Sequence, residues 1–187
     1  MIQAIITDFD GTLVDTFNAN FNAYKRAFEA VGETLSENLY RRAFGLRYDD
    51  FMAMMKISDE RIKEEIRERK KQYYPDYFHL LKSNHSLIAF LSSFHQQGGK
   101  TAIASTARRE NLENVLCYLQ LKEIFDAIYA GMNVKYGKPH PDIYLKVMEL
   151  LDVKPEETLI FEDSDVGIQA AMASGANYIR VLPKFFK

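Results

Sequence analysis

The sequence predicts an α/β fold, a Rossmann-like parallel sheet carrying an inserted block of helices, on three observations. Short, nearly continuous apolar runs recur at 2–7 (IQAIIT), 100–105 (KTAIAS), 127–131 (AIYAG), 158–163 (TLIFED) and 178–182 (YIRVL). Runs of this kind suit strands buried on both faces, as in a parallel sheet. Amphipathic helical segments separate the later runs, and such alternation places helices on both faces of the sheet. The stretch 17–80 breaks the rhythm: it is helical in pattern, and no strand-like run appears between Thr16 and Lys100.

Each element has its own justification. The first strand ends at Asp8. A helix over 18–31 stops before Gly32, and Ser36 can cap a second, LSENLYRRAF. A third spans 48–56. Ser58 opens SDERIKEEIRERKKQYY, which carries Ile62, Ile66 and Tyr73 on one side and a Glu65–Arg69 pair at i,i+4, until Pro75 stops it. In 86–97, Leu87, Ile88, Leu91 and Phe94 share a face, and Gly98 stands at the C′ position. In 108–120, Leu112, Val115, Leu116 and Leu119 repeat at i, i+3, i+4, i+7. Pro141 suits the first turn of a helix over 141–151, and Ala-rich 165–174 ends at Gly175. The predicted organisation is a core of residues 1–14 and 84–187 with a helical cap, 15–83, over the carboxyl ends of the strands, where such sheets bind ligands.

Composition limits the function. The 187 residues include 24 basic and 26 acidic side chains, for a net charge of −2. That balance argues against a polyanion partner, so no nucleic acid is expected. No apolar stretch is long enough to span a membrane and no signal peptide is recognisable. The single cysteine, Cys117, cannot form an internal disulfide, fits a reducing cytoplasm, and reads as a core residue in NLENVLCYLQL. The four histidines form no i,i+4 pair, which leaves zinc without support. A cytoplasmic monomer acting on a small molecule is the expectation.

The chemistry lies in DFDGTLVDT, residues 8–16. Asp8 and Asp10, two apart in an extended chain, point the same way from the end of the first strand. Alone, such a pair is equally an exposed strand end. Three other strand ends add to it. Ser105 ends the second strand with Thr106 after it, Glu162-Asp163 end the fourth, and GKPHPD between the third and fourth holds Lys138, which Pro139 restricts to extended geometry. Several carboxylates in one crevice require a hard cation, and oxygen ligands without His or Cys select magnesium. A hydroxyl, a lysine and glycine-rich backbone N–H groups beside it suit a phosphoryl group.

Taken in order, DFDGT, IAST, GKPHPD and FEDSDVGIQAA resemble the four motifs of the haloacid dehalogenase superfamily, and the resemblance covers essentially the whole chain. The helical insertion resembles the C1-cap class, and GKPHPDIY with FEDSDVGIQAA the β-phosphoglucomutase-like branch. The resemblance implies Asp8 as nucleophile and Asp10 as general acid, then base. It implies Mg²⁺ held by Asp8, the Asp10 carbonyl and Asp163, with Glu162 close by. It also implies phosphate contacts from Gly11, Thr12, Ser105 and Lys138, and Thr106 is the adjacent hydroxyl. Asp10 excludes the namesake dehalogenation, because the dehalogenases lack that second aspartate and use no metal. In the cap, Arg47 after Gly45 and Lys70 in RKKQYY are candidate substrate contacts, though each is equally a solvated helix charge. The expected reaction is Mg²⁺-dependent hydrolysis of a small, sugar-type phosphomonoester through an aspartyl phosphate. The alternatives are a β-phosphoglucomutase-type transfer and, in another class, a catalytically silent binding or regulatory domain.

Overall fold

Two adjacent residues of one strand and two of another form a small ribbon that the sequence pattern does not announce: β2 (Val14–Asp15) pairs antiparallel with β3 (Lys82–Ser83). Two-residue strands carry no periodicity, so the expectation of no strand before Lys100 fails at Lys82. The five expected strands form the main sheet: β1 (Ala4–Thr7), β4 (Lys100–Ser105), β5 (Ala127–Ala130), β6 (Thr158–Glu162) and β7 (Asn177–Arg180). All pairings in it are parallel, in the order β5-β4-β1-β6-β7. This computed structural model describes residues 1–130, 134 and 136–186. Gly131 at the end of the expected third strand, and Lys187, lie outside them.

The chain divides into two units, Met1–Asp15 with Lys82–Lys187, and Thr16–Leu81. In the first, connections to β4 and β5 and those to β6 and β7 run in opposite directions from central β1, which creates a switch point at its carboxyl end. The helices are α5 (His85–Gln96), α6 (Arg109–Tyr118), α7 (Asp142–Leu151) and α8 (Asp165–Ala173). One face of the sheet, with Ala4, Ile6, Ala102, Ala104 and Ile160, packs on Ile143, Tyr144, Val147 and Met148 of α7 and on Ala170 and Ala171 of α8. Side chains alternate along a strand, so Asp8, two residues past Ile6, and Glu162, two past Ile160, continue this face at its carboxyl edge. Asn84 caps α5 through Leu87 N–H, and its amide donates to the Thr12 carbonyl at 3.2 Å, tying the loop after β1 to the ribbon. Cys117 is exposed, against the core expectation. The buried stripe of α6 is Leu112, Val115 and Leu116, and the next position along a helix turns about 100° away.

The second unit holds α1 (Phe17–Glu29), α2 (Glu37–Ala43), α3 (Tyr48–Met54) and α4 (Glu60–Tyr73). Ser36 caps α2 by accepting from Leu39 N–H, as expected, whereas α4 is capped by Asp59 and not Ser58. Pro75 ends the α-helix, but the chain continues as a 3₁₀ helix, Tyr74–Leu80, with the proline in its first turn where a missing N–H costs nothing. Tyr40 centres the core, in ring contact with Phe17, Phe21, Tyr24, Phe44 and Phe51. The Glu65–Arg69 pair forms, at 2.6 Å.

Candidate active site

Sheet register builds the site. Thr7 lies level with Ile103 of β4 and Phe161 of β6, so Asp8 emerges level with Glu162. Two carboxylates on one face of neighbouring parallel strands repel unless a cation lies between them. Lys138 supplies it, from the loop after β5. Its ammonium lies 2.6 Å from Asp8 Oδ1 and 2.6 Å from Glu162 Oε1. All three side chains are buried: 5% of Lys138, 9% of Asp8 and 1% of Glu162 remains exposed. The Lys138–Pro139 peptide is cis.

Glu162 is engaged on both oxygens. Oε1 accepts from Lys138 and from the Tyr144 hydroxyl at 3.2 Å, and Oε2 accepts from the Ser164 N–H at 2.8 Å and its hydroxyl at 3.1 Å. It therefore anchors Lys138.

Asp163 occupies the other side of the turn after β1. Its Oδ1 accepts from the Thr12 hydroxyl at 2.8 Å. Gly11 has φ +89°, and a Cβ there would lie 2.4 Å from Asp163 Oδ2, so only glycine lets the turn and this carboxylate approach. Gly11 N–H closes the turn on the Val14 carbonyl, leaving Asp10 half-buried within it and bridged to Val14. Ser105 is buried at the end of β4, and its hydroxyl accepts from Ala107 N–H at 3.0 Å. It does not cap α6, whose N-cap is Arg108. Thr106 is exposed. The structure thus gathers Asp8, Lys138 and Glu162 in one contact and Gly11, Thr12 and Asp163 in another.

The cap candidates differ from each other. Arg47 is exposed at the start of α3. Lys70 is no solvated helix charge: it is 4% exposed, with its ammonium 3.6 Å from the Tyr74 ring centre and 5.3 Å from that of Tyr24. A cation can be buried this way because aromatic faces replace part of its hydration.

Burial pushes the Asp8 carboxyl well above its ordinary range. Lys138 opposes that shift, while the charges of Glu162 and Asp163 add to it. Burial also works against the Lys138 ammonium, but Asp8, Tyr144 and Glu162 outweigh it and hold its pKa well above a free lysine's. The Tyr144 phenol is pushed up, chiefly by burial, and so stays a neutral donor. Asp163 is pushed up to about 6 by burial, against the Thr12 hydrogen bond. One lysine does not satisfy this much negative charge. The remaining donors, Asp8 and Asp163 carboxylates and the Asp10 carbonyl, are all hard oxygens, which fits Mg²⁺. Among the described residues no three His, Cys, Asp or Glu side chains group to hold a metal. A cation held there would draw on two carboxylates and main chain, with water and substrate completing its shell.

Three residues of the site escape sequence reading. Tyr144 carries the only hydroxyl in the buried stripe of α7, Ile143, Tyr144, Val147, Met148 and Leu151. Gly167 is a glycine inside Ala-rich α8, where it costs about 1 kcal/mol relative to alanine and so calls for a reason. Arg180, at the end of β7, donates to the Asp163 carbonyl at 3.2 Å and pairs with Asp165 at 2.8 Å, and no sequence signal marks it.

Comparison with known proteins places the fold and the family. The haloacid dehalogenase-like hydrolase family model matches residues 5–181. A phosphorylated carbohydrates phosphatase of Thermotoga maritima is 38% identical over 185 residues, covering 95% of this chain and 84% of that protein. The crystal structure of a candidate β-phosphoglucomutase from Thermotoga maritima has a TM-score of 0.74 at 34% identity, covering 97% of this chain and 87% of its own. The structure of CbbY from Rhodobacter sphaeroides in complex with phosphate has a TM-score of 0.82 at 26% identity, covering 98% and 88%. The chain belongs to the haloacid dehalogenase-like hydrolase family and is an enzyme of its phosphatase kind.

Proposed function

We propose that the protein is a Mg²⁺-dependent phosphomonoester hydrolase, acting on a small phosphorylated carbohydrate through a phosphoryl group carried on Asp8. The observation that carries this is a buried carboxylate at the switch point, in contact with a buried ammonium 2.6 Å away and beside the turn that holds Asp10 and packs against Asp163. An uncharged pocket would serve neutral ligands as well; this one is suited to a transferring phosphoryl group and little else. The likeness to a phosphorylated carbohydrates phosphatase supports the substrate class.

In this reading an oxygen of Asp8 attacks phosphorus in line with the leaving alkoxide, forming an acyl phosphate, and Asp10 protonates the alkoxide. Asp10 then takes a proton from water as that water attacks the phosphoryl group, which releases inorganic phosphate and restores Asp8. Lys138 offsets charge on Asp8 and on the phosphoryl oxygens. Ser105 and the Thr12 N–H bind those oxygens, while the Gly11 N–H, expected beside them, is donated to the Val14 carbonyl and shapes the turn instead. Asp8, Asp163 and the Asp10 carbonyl would hold Mg²⁺, whose positive charge would keep Asp8 ionised and offset charge on the phosphoryl group. Burial alone pushes Asp8 toward its unreactive protonated form.

The second reading is transfer to a sugar hydroxyl, favoured by the likeness to the Thermotoga structure. A mutase must hold a second phosphate with cap cations. Lys70, buried against Tyr24 and Tyr74, is accounted for inside its own unit, which favours hydrolysis. The test is a panel of phosphorylated metabolites with and without Mg²⁺, read as inorganic phosphate. A companion assay supplies β-glucose 1-phosphate with a trace of the 1,6-bisphosphate. Phosphate release that requires Mg²⁺ is expected; glucose 6-phosphate with little free phosphate would install the mutase.

A further inference from the structure

We infer that Tyr144 is a positioning residue for Lys138, acting through Glu162, and that Gly167 provides the room this arrangement needs. The inference rests on the proposed role of Lys138 in phosphoryl transfer. Lysine ends in a point charge on a flexible stem, so its contacts alone set its direction. Lys138 has two carboxylate partners at equal distance, Asp8 and Glu162, each 2.6 Å away. Where the ammonium rests between them depends on how firmly Glu162 is held and how fully its charge is met by other donors.

Three other donors meet it. The Ser164 N–H and hydroxyl bind Oε2, which leaves Oε1 shared between Lys138 and the Tyr144 hydroxyl. Tyr144 is wholly buried in the first turn of α7, and its ring lies 5.1 Å from the ammonium. On the far side, a Cβ on Gly167 would lie 1.8 Å from Glu162 Oε1, so α8 can pack on this carboxylate only with glycine there. Phenol and glycine thus fix one oxygen, and that oxygen fixes Lys138. Removing the phenol leaves Lys138 as the sole donor to Oε1 among the described residues, which draws the ammonium toward Glu162 and away from Asp8.

The test compares Tyr144→Phe, Gly167→Ala and the double variant in a steady-state phosphatase assay with saturating Mg²⁺, each corrected for folded fraction by thermal melting. Each single change is expected to lower kcat about tenfold with KM within about twofold, because a group that stabilises the transition state is displaced while substrate binding is kept. The double variant should fall at most about twofold below the weaker single, since both act through Glu162. Wild-type turnover in the same assay separates this inference from the reaction itself. A folded Tyr144→Phe with kcat within twofold of an active wild type would overturn the inference. So would losses that multiply to about a hundredfold in the double variant, which mark independent routes.

Discussion

Gly11→Ala tests the turn that joins Asp8, the proposed nucleophile, to its neighbouring carboxylate. The substitution has two costs. Alanine at φ +89° costs about 1–2 kcal/mol relative to glycine. The new Cβ would also stand 2.4 Å from Oδ2 and 2.9 Å from Cγ of Asp163, so that side chain must move. Moving it breaks the 2.8 Å hydrogen bond from Thr12, a bond to a charged group worth about 1.5–3 kcal/mol. Together these predict a loss of about 3–4 kcal/mol, and a Tm lower by roughly 10 °C at about 2–4 °C per kcal/mol. Because Asp163 is proposed to hold Mg²⁺, the concentration needed for half-maximal activity should rise at least about tenfold, as for a displaced ligand. Calorimetry in EDTA and activity against Mg²⁺ read the two effects separately. A variant whose Tm falls by less than 2 °C and whose Mg²⁺ requirement stays within twofold would refute this account of the turn.

The other predictions concern charge. Asp163 has a folded pKa raised to about 6, so the native metal-free protein holds a proton that the unfolded chain has released, and stability falls as pH rises from about 4 to 6. In EDTA, Asp163→Asn should be about 2 kcal/mol more stable than wild type at pH 7, discounted for partial exposure, and no more stable near pH 4. Parallel urea-unfolding curves across that range would count against it. Lys138→Ala removes the cation between two buried carboxylates and should cost about 3 kcal/mol at pH 7, and less as the pH falls because burial favours the protonated form of Asp8, as chemical denaturation would report. Lys70→Met should lower stability by about 1–2 kcal/mol through the lost ring contacts while kcat stays within a few-fold; a loss of all turnover in a folded variant would return Lys70 to the chemistry.

What the sequence made legible follows the physics of each signal. The five strands of the main sheet were visible because burial on both faces leaves a continuous apolar run, and Asp8, Ser105, Glu162 and Asp163 because they end those runs. Their side-chain partners were not visible. Glu162 and Asp163 are adjacent acids in sequence, yet one turns inward to Lys138 and Tyr144 and the other toward Gly11 and Thr12, since neighbours along a strand face opposite ways. The burial of Lys70 was hidden for a related reason. In ERIKEEIRERKKQYY charge dominates the composition, but Ile62, Ile66 and Lys70 repeat every four residues, and the lysine stem continues the apolar stripe to two tyrosine rings. Tyr144 and Gly167 carried weak marks, a hydroxyl in an apolar stripe and a glycine in a helix. Only the tertiary packing gives those marks a meaning.

The central claim is that Asp8 carries the phosphoryl group, and trapping that group tests it most directly. Enzyme turning over a phosphorylated sugar with Mg²⁺ is acid-quenched and reduced with borohydride, which converts an aspartyl phosphate to homoserine, and the digest is read by mass spectrometry. The account predicts homoserine at position 8 in the wild type. It predicts none in Asp8→Asn, which should fold but release no phosphate. An Asp8→Asn variant that turns over within a few-fold of wild type, with no modification at position 8 in either protein, would contradict it.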